Sequence, residues 1–337
     1  MFDWFWSVIF GGQERLQGVS KFPTTYDKTM GVPEAAEFAA AVRGRRYDAA
    51  QRLYDATPQE LQELLVHQLS IESPGDDEAV SAWYAEAPEN PLACILSTSM
   101  MIDLAWERRS SYAAKDVSQE QWQGFRETLN AMQPLMAHLR EVAADDPQAW
   151  IISMHHQMGL GSDMANATHY YERGCAINPT HRGVNSSYLT YILPKWFGSV
   201  DRMWAHVKHL QTTYPGTHLE SLVTTAWLEH AMFLRMRDRK KEAYDVSADT
   251  DTHQAIVDAY LRTNLTSSQL YDAQALNHFA YALWHIKRHD LAVDALKRLN
   301  GRYTQSHWWQ HSTQFPDGPR DIQRLYIDLA RKLDESV

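Results

Sequence analysis

The chain has 337 residues, 44% of them hydrophobic, and its 32 lysines and arginines against 42 aspartates and glutamates give a net charge of −10. This acidic balance argues against a nucleic-acid-binding protein, because such a protein needs a basic surface to displace counterions from phosphates. The two cysteines, Cys94 and Cys175, have neither disulfide-framework nor zinc-ligand spacing. We therefore expect them to pack as small hydrophobic residues in a reducing compartment.

The first segment, Met1–Phe10, is strongly apolar and rich in aromatic residues. It carries Asp3 and no basic residue, which is unlike a cleaved signal peptide, and it is shorter than the roughly 20 residues that span a bilayer. Two interpretations stay open: the segment docks on the first helices of the fold, or it contacts a membrane surface or a partner. No other segment is apolar enough to cross a membrane, so we predict a cytoplasmic protein.

Helical periodicity runs through almost every long segment that follows, and strand signals are nearly absent. Thr57–Glu60 predicts a helix start with an N-cap threonine and a proline at the first helical position. Ser118–Gln121 and Thr217–Glu220 have the spacing of capping boxes, in which the first and fourth residues cap each other. These signals predict an all-α fold.

Two of the predicted helices, near 91–109 and 118–145, are longer than a standard repeat helix, and Pro134 predicts a kink in the second. An irregular connection is expected around Pro194–Gly198. Asn300–Gly301 predicts a helix end, with the glycine in the left-handed conformation.

The segment Ala167–Pro179 has the pattern of the second helix of a tetratricopeptide-type hairpin. Ala167, Tyr171 and Gly174 fall on one helix face, where the small residues let a partner helix approach and the tyrosine fills the remaining space. Pro179 cannot continue a helix and so fixes where the chain leaves it.

Similar second-helix patterns occur at 44–54, 239–244 and 289–299, although their spacing is irregular. We therefore predict a degenerate array of tetratricopeptide-like helical hairpins, which stack into a right-handed solenoid.

The predicted organisation has three parts: an aromatic N-terminal segment (1–32), the helical array (33–300), and a loop followed by a C-terminal capping helix (301–337). The last helix is expected over about 321–333, where it would cover the apolar end of the array, as terminal repeats must.

Two motifs resemble those of an uncharacterised bacterial family, a domain of unknown function with a tetratricopeptide-like fold. One is Tyr188–Ser199, which contains a Leu-Pro-Lys-Trp-x-Gly-Ser sequence, and the other is Leu104–Arg109 with its Ala-Trp pair. Arg109 and Phe197 stand where that family commonly has glycine. The resemblance covers about the middle half of the chain and implies a helical-repeat fold, but it supplies no activity and no cofactor.

The predicted first helix of the last hairpin carries the main candidate binding residues. Aligning Ala292 with the small residue of the repeat places four apolar residues in the core: Leu276, Phe279, Ala280 and Leu283. Five polar or aromatic residues then face the concave groove: Gln274, Asn277, Tyr281, Trp284 and His285. Amide, phenol, indole and imidazole groups along one groove suit peptide recognition. The alternative is that Tyr281 and Trp284 only pack against a neighbouring hairpin.

Lys195 and Trp196, in the irregular connection, form a second candidate binding site because ordered irregular loops often carry function. The alternative is that Trp196 wedges between hairpins and Lys195 is an ordinary surface cation.

The chain has 16 histidines, several of them three or four residues apart, which places two rings on one helix face. His278, His285 and His289 could accordingly serve a metal-assisted hydrolase. However, the sequence has no His-Glu-x-x-His motif and no carboxylate in register, so we predict no metal site and no cofactor.

Catalytic motifs are missing, and the repeat pattern favours binding. We predict a non-enzymatic module that binds a protein or peptide through the concave face of a helical solenoid. A narrower alternative is an immunity-type or chaperone-type antidote whose acidic surface binds a basic toxin or effector.

Overall fold

The computed structural model describes residues 29, 31–69, 73–110, 116–238, 250–266 and 268–300, without the side chains of 235–238 and 250. Within these ranges the chain forms α-helices and no strand, which confirms the prediction of an all-α fold. The predictions for the N-terminal aromatic segment, the pattern at 239–244 and the C-terminal capping helix lie outside the described residues.

Fifteen α-helices follow one another along the described chain. They are α1 (Pro33–Arg43), α2 (Tyr47–Ala56), α3 (Gln59–Val66), α4 (Asp76–Glu86), α5 (Pro91–Arg109), α6 (Gln119–Ala131), α7 (Gln133–Val142), α8 (Pro147–Leu160), α9 (Met164–Ile177), α10 (Arg182–Tyr191), α11 (Val200–Thr213), α12 (Leu222–Asp238), α13 (Thr250–Arg262), α14 (Leu270–His285) and α15 (His289–Leu299). A 3-10 helix, His218–Ser221, leads directly into α12.

The chain divides into two compact units. The N-terminal unit is Val32–Gly198, and the C-terminal unit contains the described residues from Ser199 onward. The division falls at the end of the predicted irregular connection, after α10 has ended and before α11 begins.

Three helical hairpins lie where the sequence has second-helix patterns. The pairs α1–α2, α8–α9 and α14–α15 are each joined by only three residues, which forces the two helices to lie side by side and antiparallel. Most of the patterns at 44–54 and 167–179 and all of the pattern at 289–299 lie in α2, α9 and α15, each of which is the second helix of its hairpin.

The first and the last of these hairpins close with the same turn. In both, the first helix ends in a Schellman motif, with the amide of Arg46 donating to the carbonyl of Ala41 and the amide of Arg288 to that of Leu283, each at 2.8 Å. The residue before each donor has a positive φ, 53° at Arg45 and 65° at Lys287. This position normally takes glycine, because a Cβ atom strains the left-handed conformation.

We expect Lys287→Gly to raise the free energy of unfolding of the C-terminal unit by about 0.5–1 kcal/mol. Relief of the left-handed strain exceeds the entropy that glycine adds to the unfolded chain. Urea denaturation of the full chain measures the change, with Lys287→Ala as the control, since alanine keeps the Cβ atom. A Lys287→Gly variant no more stable than Lys287→Ala would contradict this expectation.

The helix face predicted from Ala167, Tyr171 and Gly174 packs closely against α10. Ala167 and Gly174 are buried, and a Cβ atom added at Gly174 would lie 2.9 Å from both methyl groups of Val184. Tyr171 stacks on Tyr188 with ring centroids 4.2 Å apart. The small residues therefore permit the close helix contact, and the tyrosine fills the space beside it, as predicted.

The predicted helix starts have different outcomes. Ser118 and Gln121 form the expected capping box: the Ser118 hydroxyl oxygen accepts from the amide of Gln121, and the Gln121 side-chain oxygen accepts from the amide of Ser118. The prediction for Thr57 is wrong: its hydroxyl donates to the carbonyl of Leu53 in the preceding helix, and α3 begins only after Pro58. The threonine thus ends α2 instead of starting α3.

The long helix predicted over 91–109 is present as α5, but the kinked helix over 118–145 is not. The chain breaks at Met132 into α6 and α7, with Pro134 in the first turn of α7, where its missing N–H costs no hydrogen bond. At the end of α15, Asn300 takes the left-handed conformation, with φ 49°; the prediction for Gly301 lies outside the described residues.

Cys94 is fully buried, as predicted, whereas Cys175 is half-buried. Burial raises the pKa of the Cys94 thiol to about 12 and that of the Cys175 thiol to about 11, so both are protonated and unreactive at neutral pH. Among the described helices, none combines the length and the apolar character that crossing a membrane requires.

Candidate functional site

The two motifs that carry the family resemblance meet in the N-terminal unit. Trp106 lies near the end of α5, and Trp196 lies in the connection that follows α10. Their ring centroids are 5.9 Å apart in an edge-to-face arrangement, with an interplanar angle of 87°. Such a geometry brings the positive edge of one ring against the negative face of the other. We call this site the tryptophan junction: Trp106, Trp122, Trp196, Arg109 and Lys195.

The connection that carries Trp196 is a tight turn held by its own backbone. The amides of Trp196 and Gly198 both donate to the carbonyl of Leu193, at 3.0 and 3.2 Å, and the amide of Phe197 donates to that of Tyr191. The Phe197 ring also packs on the Tyr191 ring, with centroids 5.0 Å apart. These contacts fix the indole of Trp196 without a helix or a strand.

Gly198 is required by this turn because the chain folds back onto itself. A Cβ atom built at Gly198 would lie 1.8 Å from the carbonyl oxygen of Ile192, much closer than two atoms can approach. The contact is with backbone, so no side-chain rearrangement could relieve it. Steric exclusion of a Cβ atom therefore explains why the Leu-Pro-Lys-Trp-x-Gly-Ser sequence has glycine at this position in this chain.

Arg109 fills the space between two tryptophans of the junction. Its guanidinium carbon lies 5.6 Å from the ring centroid of Trp106 and 4.9 Å from that of Trp122, which are cation–π distances. Burial lowers the pKa of Arg109, but an arginine remains charged at neutral pH. On the half-buried Trp122, the exposed Arg126 adds a further cation at 5.7 Å.

Both residues predicted for the loop belong to the junction. Lys195 is exposed, whereas Trp196 is half-buried and packs against the α5 motif. The contact with Trp106 agrees with the alternative prediction, in which Trp196 packs between helices. The arrangement presents a cation and part of an indole ring at the surface, on a turn whose backbone is fixed.

Two of the five residues predicted on α14 are in the interior and do not face a groove. Asn277 is fully buried, and its side-chain amide donates to the carbonyl of Ala273 in its own helix at 2.7 Å. Tyr281 is 2% exposed. Their helix is buried on most sides, which the repeat alignment does not anticipate. For Tyr281 the alternative prediction, packing in the interior, is therefore the correct one. Neither the Asn277 nor the Tyr281 side chain can contact a ligand at the surface.

The other three α14 residues, Gln274, Trp284 and His285, are half-buried. Trp284 stacks on His289, with centroids 4.2 Å apart, and His285 lies 4.4 Å from the Tyr281 ring. The four apolar residues predicted for the core of this hairpin are all fully buried, which confirms that part of the alignment: Leu276, Phe279, Ala280 and Leu283.

The histidines considered for a metal site lie in different surroundings. The Nδ1 atom of His278 is 3.4 Å from the hydroxyls of Thr224 and Thr225, while His289 stacks on Trp284. Burial lowers the pKa of His285 to about 4. In the part of the chain that the structure describes, no group of three histidine, cysteine, aspartate or glutamate side chains could hold a metal ion.

One buried polar pair of the N-terminal unit is missing from the sequence predictions. The hydroxyl of Ser187 on α10 lies 3.1 Å from Nε2 of His155 on α8, and both side chains are buried. Burial lowers the pKa of His155 to about 3, which makes it a weak base, and a general base works best with a pKa near the operating pH. The structure therefore describes the pair as a hydrogen bond in the interior of the N-terminal unit.

Comparisons of the chain with protein-family models, with curated proteins and with solved structures gave no match. The family resemblance of the two motifs thus stays a prediction, and the site has to be interpreted from its own geometry.

Proposed function

We propose that the protein is a non-enzymatic, tetratricopeptide-like module that binds a protein or peptide, and that the tryptophan junction is its binding surface. The observation that carries the proposal is the contact between Trp106 and Trp196, which joins two distant motifs into one aromatic and cationic site. Lys195 sits at the exposed edge of that site.

The composition of the junction suits an interface. Tryptophan, tyrosine and arginine are the residues that most often dominate binding energy, and the rigid rings of the first two offer a large contact area at little cost in conformational freedom. Here Arg109 holds Trp106 and Trp122 in place, so the half-buried Trp122 and Trp196 are already ordered before a partner arrives. Preorganised side chains reduce the entropy cost of binding.

The test is selection of binders from a phage-displayed library of random peptides on the full-length protein, followed by fluorescence anisotropy with the enriched peptides. We expect Trp196→Ala to weaken binding about tenfold or more, the effect of losing an aromatic anchor. Lys195→Ala is a second variant that leaves the packing on Trp106 intact, and a milder loss of binding is expected for it.

The matched control is Trp284→Ala, which removes a half-buried tryptophan from the other predicted binding set, in the C-terminal unit. Binding to this variant should stay close to that of the unaltered chain. If Trp284→Ala weakens binding and Trp196→Ala and Lys195→Ala do not, the binding surface is the α14 face. If none of the three variants changes binding, the junction is not a binding surface.

A further inference from the structure

A second group of aromatic and cationic side chains lies in the N-terminal unit, on the helices α7, α8 and α9. The Trp150 ring of α8 and the Tyr170 ring of α9 pack together, with centroids 6.2 Å apart. Arg173 lies over Trp150 and Arg140 of α7 lies over Tyr170, with their guanidinium carbons 4.9 and 5.3 Å from the ring centroids. We call these four residues, together with His169 at the edge of the Trp150 ring, the arginine platform.

The two rings of the platform are fixed from below by the body of the unit. Trp150 is buried, and its indole N–H donates to the carbonyl of Ala144 at 2.9 Å, which sets the orientation of the ring. Beside it Gly174 lets α9 come close to α8, since a Cβ atom there would lie 3.5 Å from the Cβ of Trp150. Tyr170 packs against a buried hydrophobic cluster of α8 and α10. The two arginines therefore lie on an aromatic surface that is already ordered.

The guanidinium groups of the platform keep their hydrogen-bonding capacity. A cation–π contact does not consume the N–H donors of an arginine, which form a rigid fork of five. In the part of the chain that the structure describes, neither Arg140 nor Arg173 donates a hydrogen bond or lies within ion-pair distance of a carboxylate. Arg173 is exposed and Arg140 is half-buried, so both groups are within reach of a ligand.

The carboxylates nearest in sequence do not occupy the two arginines. Glu141 and Glu172 each follow or precede one of them directly, and adjacent residues on a helix do not face each other. Between α7 and α8, Asp145 is exposed, and Asp146 accepts a hydrogen bond from the hydroxyl of Tyr54. Within the described residues, the charges on the two rings thus stay without an anionic partner.

We propose that the arginine platform is a second binding surface of this protein, which takes an acidic peptide segment with two carboxylates. The fork of a guanidinium matches the two oxygens of one carboxylate. Arg140 and Arg173 lie over different rings and on different helices, so each binds a carboxylate of its own. Holding the arginines on rings before the ligand arrives reduces the entropy that binding costs.

Other anionic ligands fit this arrangement less well. A single phosphate group would need both guanidiniums to converge on one point, whereas each of them lies over its own ring. Nucleic acids and anionic membranes carry long arrays of negative charge, which the net charge of −10 on the chain repels more strongly than it repels two carboxylates.

The experiment measures fluorescence anisotropy of short dye-labelled peptides on the full-length protein. Each peptide carries two glutamates at a different spacing in a glycine–serine background, and the matching diglutamine peptides are the blanks. We expect one spacing to bind best. Arg140→Met and Arg173→Met should each weaken its binding about tenfold, because methionine still covers the ring but cannot bind a carboxylate.

The matched control is Arg52→Met, which removes the same charge from an exposed position on α2 in the same unit. Arg52 lies over no aromatic ring among the described residues, and its loss should leave binding nearly unchanged. Equal losses for all three variants, or no binding by any diglutamate peptide, would overturn the proposal. So would binding of a phosphoserine peptide or of phosphatidylserine vesicles through Arg140 and Arg173 where the diglutamate peptides fail.

This proposal goes beyond the tryptophan junction and shares no residue with it. Trp196→Ala should therefore leave diglutamate binding unchanged, which makes a failure of the platform distinguishable from a failure of the junction. Loss of diglutamate binding in Trp196→Ala, with Arg140→Met and Arg173→Met unaffected, would place these peptides on the junction and overturn the proposal.

A second measurement needs no variant and so does not depend on whether the variants fold. Phenylglyoxal modifies accessible guanidinium groups, and mass spectrometry of the unaltered protein gives the rate at each arginine. An excess of the best-binding diglutamate peptide should slow the modification of Arg140 and Arg173 severalfold and leave that of Arg52 as it was. Equal protection of all three arginines, or protection of none, would show that the peptide does not occupy the platform.

Discussion

Gly198→Ala is expected to lower the free energy of unfolding of the N-terminal unit by roughly 3 kcal/mol, at the upper end of the cost of overpacking. The added methyl group would lie 1.8 Å from the carbonyl oxygen of Ile192, so the turn must open to accept it. Opening the turn also removes the hydrogen bond from the Gly198 amide to Leu193 and displaces Trp196 from Trp106. Hydrogen exchange in peptides from α10 and α5 measures the loss for this unit alone.

The matched control is Gly124→Ala, a glycine in the middle of α6 in the same unit. Its nearest neighbour atom would be the Cδ of Arg108 at 3.8 Å, which is an ordinary contact. Because alanine favours a helix over glycine by up to about 1 kcal/mol, this variant should be as stable as the unaltered chain or more so. A Gly198→Ala variant that behaved like Gly124→Ala would show that the turn is not held as the structure describes.

Gly198→Ala should also abolish peptide binding if the tryptophan junction is the binding surface, because it moves Trp196 without removing any side chain. If this variant loses stability but still binds the peptide, binding does not depend on the Trp196 turn.

Arg262→Met is expected to destabilise the C-terminal unit by about 2–3 kcal/mol. Arg262 pairs with Glu220 through two hydrogen bonds, from Nε at 2.9 Å and from Nη2 at 2.7 Å, and the Glu220 side chain is fully buried. Removing the arginine leaves an unpaired carboxylate in the interior, to which the amide of Gly216 still donates at 3.2 Å. Such a loss costs about 3–5 kcal/mol in a fully buried pair. The partial exposure of Arg262 reduces that cost through solvent screening.

Arg288→Met is the control, because Arg288 makes the same two-bond contact with Asp290 at 3.2 and 3.1 Å but on the surface. Its effect should stay within about 0.5 kcal/mol, as is usual for exposed ion pairs. Adding Glu220→Gln to Arg262→Met replaces the buried charge with an amide and should recover about 1 kcal/mol. Hydrogen exchange in peptides from α12 to α14 measures all three variants. Equal effects of Arg262→Met and Arg288→Met would contradict the role assigned to Glu220.

The ion pair of Glu220 also explains why the capping box predicted at Thr217–Glu220 does not form. Thr217–Glu220 has the spacing of a capping box, but the threonine hydroxyl donates to the carbonyl of Tyr214, and the glutamate turns inward to Arg262. Local spacing predicts a local partner. The ion pair joins residues far apart in the sequence, and only the folded chain brings them within bonding distance.

The same distinction applies to the candidate site. Lys195 and Trp196 could be chosen as candidate binding residues from the sequence, because an irregular connection separates two predicted helices there. Their contact with the α5 motif could not, because no local pattern states that Trp106 and Trp196 will meet. On α14 the repeat alignment placed four core residues correctly, but it left Asn277 and Tyr281 facing outward. Both are buried, because other parts of the protein cover α14 on most of its sides, whereas the repeat alignment assumes that one side faces an open groove.

The sequence by itself determined the all-α class, the second helices α2, α9 and α15, and the close contact at Gly174, because helix periodicity, turn chemistry and small-residue spacing act over a few residues. Only the tertiary structure decided the division after Gly198, the tryptophan junction and the burial of the α8 histidines. These depend on which distant surfaces pack together, and that packing is set by the summed burial of many side chains instead of any single motif.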